Sequence, residues 1–271
     1  MAASGWSGWL WLAGAGLMAG LPAMSACQGS DPEVPQPVER PAALGSGARV
    51  LMIGNSLTDA NLLVEMVEAL ADSAGLGWDV EPLVGGGSLE DHWNRGTVQP
   101  ALAGGNFDAV VLQQGPSSLV ESRANLRQWS AVFDEAIRAA GGRTALYMVW
   151  PEAARVEVFD RVRDSYALAA VDVSGRFLPA GEAWRAAWRR DPATALYGPD
   201  AFHPSALGSY AAALAIVAGL TDRSPVGFAR TLTRPNGDTL VTVSPSMGAL
   251  LQAAAAEAAA GYRDYRPADE P

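Results

Sequence analysis

From Arg49 onward, short apolar runs alternate with longer stretches of helical periodicity. Val50-Leu51-Met52-Ile53 is continuously apolar and stops at Gly54, the pattern of a strand buried on both faces. Thr58 is placed to cap a helix in which Leu62, Leu63, Met66, Val67 and Leu70 share one face and which ends at Gly75. Trp78 to Val84 reads as a second strand, ending at Gly85-Gly86-Gly87, and Ala109 to Leu112 as a third. Leu126, Trp129, Val132, Phe133 and Ile137 mark a helix that stops at Gly141-Gly142. Ala145 to Val149 is a fourth strand closed by Pro151, and Val158, Val162, Tyr166 and Ala169 predict another helix. Phe177-Leu178 reads as a short last strand, and Ala206 to Leu220 as a helix buried on most sides.

Strands spaced by helices imply βαβ units. The expected fold class is therefore α/β: a single three-layer α/β/α domain around a parallel sheet of about five strands, over residues 47–225. Residues 226–271 read as a C-terminal extension packing on that domain. It holds a hairpin between Thr231 and Val243, turned at Pro235-Asn236-Gly237-Asp238, and an Ala-rich helix near 246–261 opened by Ser244-Pro245.

The first residues change the picture from a plain domain to an exported one. Trp9 to Met24 is apolar but short and interrupted, which fits a signal-peptide core better than a membrane span, although no Lys or Arg precedes it. Residues 1–26 are expected to be a signal peptide. The sole cysteine, Cys27, falls in Met24-Ser25-Ala26-Cys27, which resembles a bacterial lipobox, with Met24 where Leu is usual. Two outcomes stay open: lipidation at Cys27, or ordinary cleavage near Ala26. Residues 27–46 carry Pro32, Pro35, Pro37 and Pro41 and read as an extended tether. The expected localisation is extracytoplasmic, as a cell-envelope lipoprotein or a secreted protein. Membrane attachment is expected only through an acylated Cys27.

Composition narrows the chemistry. The 271 residues carry a net charge of -10, which argues against nucleic acid as a partner. All 19 basic residues are Arg, so Schiff-base and Ser-Lys chemistry are excluded. Two histidines and one cysteine make a dedicated zinc site improbable, and no metal or other cofactor is expected.

The ends of the first three strands carry Gly54-Asn55-Ser56-Leu57-Thr58, Gly85-Gly86-Gly87-Ser88 and Gln113-Gln114-Gly115-Pro116-Ser117-Ser118. In an open α/β sheet all three lie on the ligand-binding rim. Asp200 and His203, three apart on a predicted turn, can face the same way. A carboxylate on one ring nitrogen then leaves the other free to take a proton from a serine.

These residues resemble the SGNH (GDSL-type) hydrolases from about Ala48 to Pro225. Gly54 to Thr58 resembles the first block of that superfamily, Gly86 or Gly87 the glycine of the second, and Asp200-Ala201-Phe202-His203 the Asp-x-x-His of the last. The resemblance implies an SGNH/flavodoxin-like fold, Ser56 as nucleophile, His203 as general base and acid, and Asp200 as its orienter. It implies an oxyanion hole built from the backbone N–H groups of Ser56 and Gly86. One block departs from the pattern. Where the third block carries Gly-x-Asn-Asp, Ser117 and Ser118 stand in place of Asn and Asp. Gln113 is the expected substitute donor, with Gln114 and Ser117 as alternatives.

Each residue also has a plainer reading. A Ser after Gly-Asn is commonly a cap or turn residue, and Asp-x-x-His is a common surface spacing. Their joint order and context carry the case. His92 reads as a structural histidine near the rim, and Glu90 and Asp91 as the start of a helix. Trp184 and Trp188 read as packing, and Trp150, after the fourth strand, as the better candidate to line a pocket. The expected function is a serine esterase or acyl hydrolase working through an acyl-enzyme on a small-molecule or glycan ester, with carbohydrate O-acyl and lipid esters both allowed. The alternatives are a weak or inactive glycan-binding lipoprotein of the same fold, and an O-acyltransferase on the same triad.

Overall fold

The computed structural model describes residues 40–268. The expected signal peptide, Cys27 and the expected tether up to residue 39 lie outside the described residues. Five strands form one parallel sheet: β1 (Arg49–Gly54), β2 (Asp79–Val84), β3 (Ala109–Leu112), β4 (Arg143–Tyr147) and β5 (Arg176–Leu178). Their spatial order is β2-β1-β3-β4-β5. This is the doubly wound order whose crossover direction reverses between β1 and β3, which opens a crevice at the carboxyl ends of those two strands. β1 and β3 are buried almost throughout, as expected of strands covered on both faces. β2 is the partly exposed edge and carries Pro82, tolerated there because an edge strand needs fewer ladder donors.

Two helical layers cover the sheet. One is built from α3 (Leu89–Asn94), α4 (Val98–Gly105), α5 (Val120–Ala139) and α6 (Phe159–Asp172). The other holds α2 (Leu63–Ser73), α7 (Ala180–Arg190), α8 (Ala206–Thr221) and α9 (Pro245–Gly261). Between β1 and α2 lie a single turn of helix, α1 (Ser56–Asp59), and a 3-10 turn at Ala60–Leu62. The hairpin is present as β6 (Thr231–Thr233) and β7 (Thr239–Thr242), paired antiparallel. The α4 helix has no counterpart in the sequence reading. Pro100 and Gly104-Gly105 resemble breakers, yet Pro100 sits in the first turn, where no N–H has an intrahelical acceptor.

The helix expected from Thr58 to Gly75 is broken. Asn55, not Thr58, caps its first turn, by accepting from the Leu57 N–H at 3.1 Å. Asn61 and Leu62 both take left-handed backbone angles, with φ of 55° and 59°. Leu62 is therefore turned out to 39% exposure instead of joining Leu63, Met66, Val67 and Leu70 in the core. Residues 40–46, the end of the expected tether, are held against the domain. The Leu44 N–H donates to Leu220 O, Arg143 to Ala42 O, Arg176 to Pro41 O, and Arg40 pairs with Asp222.

α8 carries no charge and is buried nearly all round. It approaches its neighbours through glycine: a Cβ on Gly208 would collide with Leu196 O and lie 2.6 Å from the Trp184 ring. Gly208→Ala is expected to destabilise the domain by about 1–3 kcal/mol through overpacking, read as a lowered midpoint in urea unfolding.

Candidate active site

At the end of β1 the chain must leave the sheet with its last N–H groups satisfied. Gln113, at the adjacent end of β3 and only 1% exposed, does most of this. Its Oε1 accepts from the Asn55 N–H at 2.9 Å and the Thr58 hydroxyl at 2.7 Å. Its Nε2 donates to Asn55 Oδ1 at 3.0 Å and to Gln114 O. Gly54 is the only residue type that fits beside this amide, since a Cβ there would collide with Thr58 Oγ1 and Gln113 Oε1. Asn55 in turn donates to Gly87 O at 3.2 Å, so the ends of β1, β2 and β3 are laced together. Ser56 follows as the first residue of α1, exposed, with an N–H that by position has no acceptor within the helix.

The second loop is held from α3. Ser88 and Asp91 form a reciprocal capping box, the Ser88 N–H donating to Asp91 Oδ2 at 2.7 Å, which holds the Asp91 carboxyl below the usual range. Gly87 has a φ of 101°, and a Cβ on it would collide with the Asp91 carboxylate. Gly86 is exposed, with open space where a side chain would stand, and its carbonyl accepts from the Arg95 guanidinium. Behind these glycines lies His92, 2% exposed, facing the backbone of Gly54 and Gly85, with Nε2 unpartnered. Burial, and then the nearby Arg95 cation, hold its pKa below the ordinary value.

The third loop carries Asp200 and His203 ahead of α8. Asp200 Oδ1 accepts from the N–H groups of Phe202 at 3.1 Å and His203 at 2.9 Å. This Asx-type turn runs through Ala201 at φ 59°. Asp200 Oδ2 lies 2.5 Å from His203 Nδ1, and His203 Nε2 lies 2.8 Å from Ser56 Oγ. The imidazole bond, with the Phe202 N–H behind it, lowers the Asp200 pKa to about 2. The carboxylate is therefore ionised throughout any working range. A proton on His203 Nδ1 and a lone pair on Nε2 satisfy both contacts, so the serine hydroxyl donates to the ring.

Three expected residues thus meet: Ser56, His203 and Asp200. The third-block expectation needs correction. Gln113 cannot serve as an oxyanion donor, because both its amide hydrogens are engaged by Asn55 and Gln114. Gln114 accepts from the Leu89 N–H and donates to Ser117 Oγ, whose hydroxyl donates to Gly115 O. Both are buried in loop-to-loop bonds, and no hydrogen bond joins either to Ser56 among the described residues. Trp150 does not line a pocket. It is fully buried, stacks on Trp184 at 3.6 Å, and its indole N–H donates to Phe202 O at 3.0 Å. It anchors the His203 loop instead, a role for which the sequence carries no signal beyond the position after β4. Trp184 packs as expected, and Glu90 and Asp91 stand in the first turn of α3. Among the described residues no cluster of His, Cys, Asp and Glu could hold a metal ion.

Several solved structures are similar to this chain. A protein from Slackia heliotrinireducens, assigned to the SGNH hydrolases, is 31% identical, with a TM-score of 0.55 over 64% of this chain and 99% of its own. A DUF4886 family protein from Bacteroides uniformis is 21% identical, with a TM-score of 0.63 over 82% of this chain and 98% of its own. A GDSL-like lipase from Parabacteroides merdae is 18% identical, with a TM-score of 0.53 over 67% of this chain and all of its own. The last two show the likeness of fold alone. No protein-family model and no curated protein matches.

The His92 environment has a consequence for pH. The unfolded chain takes up a proton at His92 near pH 6.5, whereas the buried ring resists it until lower pH. Stability contributed by the neutral ring is therefore present above that range and lost as the pH falls through it. The thermal midpoint is expected to drop more between pH 7.5 and 5.5 in the wild type than in His92→Gln, measured by circular dichroism.

Proposed function

Because the chain belongs to the SGNH hydrolase superfamily, we propose that it is a serine esterase in which Ser56, His203 and Asp200 act as one catalytic unit on a carboxylic ester. The observation that carries this reading is the unbroken series from Asp200 Oδ2 to His203 Nδ1 at 2.5 Å and from His203 Nε2 to Ser56 Oγ at 2.8 Å. Ser56 Oγ attacks the ester carbonyl while its proton passes to Nε2. Asp200 holds the tautomer and stabilises the imidazolium. The oxyanion is met by the backbone N–H groups of Ser56 and Gly86. The imidazolium then protonates the leaving alcohol, and a water deprotonated by the same nitrogen hydrolyses the acyl-Ser56.

The third-block departure sets the expected rate. With both Gln113 amide hydrogens and the Ser117 hydroxyl bonded elsewhere, and Gln114 turned to Ser117, none of the three candidates donates toward Ser56 among the described hydrogen bonds, and losing one donor costs roughly 10²–10³ in kcat. The reading is thus of a slow esterase. The exposed Ser56 and Gly86 leave room for a bulky alcohol, in keeping with carbohydrate O-acyl or lipid esters reached outside the cytoplasm. No helix of the described residues is long and apolar enough to cross a membrane. An acylated Cys27 is the attachment proposed here.

Labelling by a fluorophosphonate probe, with hydrolysis of p-nitrophenyl esters of increasing chain length and of acetylated sugars, tests the activity. Ser56→Ala is expected to abolish both, and Asp200→Asn to lower kcat by about 10²–10⁴-fold. Equal absence of labelling in wild type and Ser56→Ala, with a glycan still bound, would favour a binding protein. Transfer to an added alcohol in preference to water would favour an acyltransferase. Incorporation of a palmitate analogue in a bacterial host, lost in Cys27→Ser, is the expected outcome for the anchor.

A further inference from the structure

The nucleophile and the base reach the site on separate pieces of chain, 147 residues apart in sequence. A 2.8 Å contact between two exposed side chains does not hold two loops in register, because water competes for both groups. Something else must fix the segment of Ser56 against the loop of His203. Among the described residues, the other hydrogen bonds between residues 55–63 and 200–209 all run through Asn61 and Ser209.

The Asn61 side chain is bifurcated. Its Nδ2 donates to Pro204 O at 2.8 Å and to Ser209 Oγ at 2.9 Å. Pro204 follows His203 directly, so the first bond fixes the peptide plane next to the base. Ser209 is fully buried in α8, and its hydroxyl lies 3.4 Å from Ala60 O, so the second bond ties the same turn to a rigid helix. From the other side, His203 O accepts from the Gly198 N–H at 2.7 Å and the Ser205 N–H donates to Leu196 O at 2.8 Å. The base is thus gripped on one flank by the residues 196–198 and on the other by Asn61.

The backbone at this point is unfavourable by local rules. Asn61 and the following Leu62 are both left-handed, an arrangement that asparagine tolerates and leucine does not. The same turn interrupts the helix between Ser56 and Ser73 and leaves Leu62 partly in water. A continuous helix would bury Leu62 and remove the strain. Strain of this kind persists where surrounding contacts over-determine it, and here those contacts are the two bonds of the Asn61 amide.

We infer that Asn61 is a positioning residue for the reaction, setting the distance between Ser56 Oγ and His203 Nε2 by clamping the nucleophile segment to the Pro204 carbonyl and to Ser209. The inference rests on the esterase reading proposed above. The informative variant is Asn61→Gly, because glycine keeps the left-handed backbone at no steric cost while removing the amide. Expected is a 10- to 100-fold fall in kcat and in the rate of fluorophosphonate labelling, with KM within twofold and the thermal midpoint little changed. Ser209→Ala, which removes one of the two acceptors, is expected to fall between wild type and Asn61→Gly. A second readout needs no turnover: the Nδ1–H proton resonance of His203, sharp when the ring is fixed between Asp200 and Ser56, is expected to broaden in Asn61→Gly by exchange with water. The clamp is overturned by wild-type kcat and an unchanged His203 resonance in Asn61→Gly, or by a loss of rate that merely follows a fall in thermal midpoint. If wild type fails to label at all, the esterase reading fails, and the resonance alone then decides whether Asn61 fixes the ring.

Discussion

The site depends on one buried amide. Gln113 sits where the sheet ends and the loops begin, and it satisfies polar groups that would otherwise be lost to water without a partner. Leaving even one such group unpaired costs about 1–3 kcal/mol, so the Asn55 N–H and the Thr58 hydroxyl have one arrangement that is clearly preferred. That arrangement presents Ser56 outward at the first turn of a helix. The glycine at position 54 is a corollary: the amide stands where its side chain would be. Through Asn55 the same node reaches the Gly87 carbonyl, so Ser56 and the glycine loop are not independently placed.

The geometry also sorts the titratable groups of the site. Asp200 is kept ionised by donors aimed at both its oxygens, although it stands in water. The pKa of His92 is held below its ordinary value by burial and by the Arg95 cation beside it. One histidine stands partly in solvent with a carboxylate behind it, and the other is buried behind the glycines.

Much of this was legible in the chain. The apolar runs Val50–Ile53, Ala109–Leu112 and Ala145–Val149 placed the middle of the parallel sheet, because a strand covered on both faces admits few polar residues. The meeting of Ser56, His203 and Asp200 was expected from their order at strand and helix ends and from a family resemblance. What escaped shares a physical cause. Gln113 was expected to face a substrate, yet its direction depends on which unsatisfied groups lie beside it, and those belong to another strand. The break at Asn61 and Leu62 was hidden because an apolar face at helical spacing continues straight through it. The Pro204 and Ser209 contacts that hold the break open lie more than 140 residues away. Trp150 likewise anchors a loop 52 residues further on.

Residues 40–46 run along the starts of the strands. They are bonded to Arg143 at the head of β4, to Arg176 at the head of β5, and to the end of α8. Ser56, Gly86 and His203 stand at the opposite edge, where the strands finish. A force transmitted through Arg40 would therefore load the guanidinium–carbonyl bonds and the Arg40–Asp222 pair along the amino edge before it reached the contact between Ser56 and His203. Mechanically, the domain is gripped at its base, at the edge of the sheet opposite Ser56 and His203.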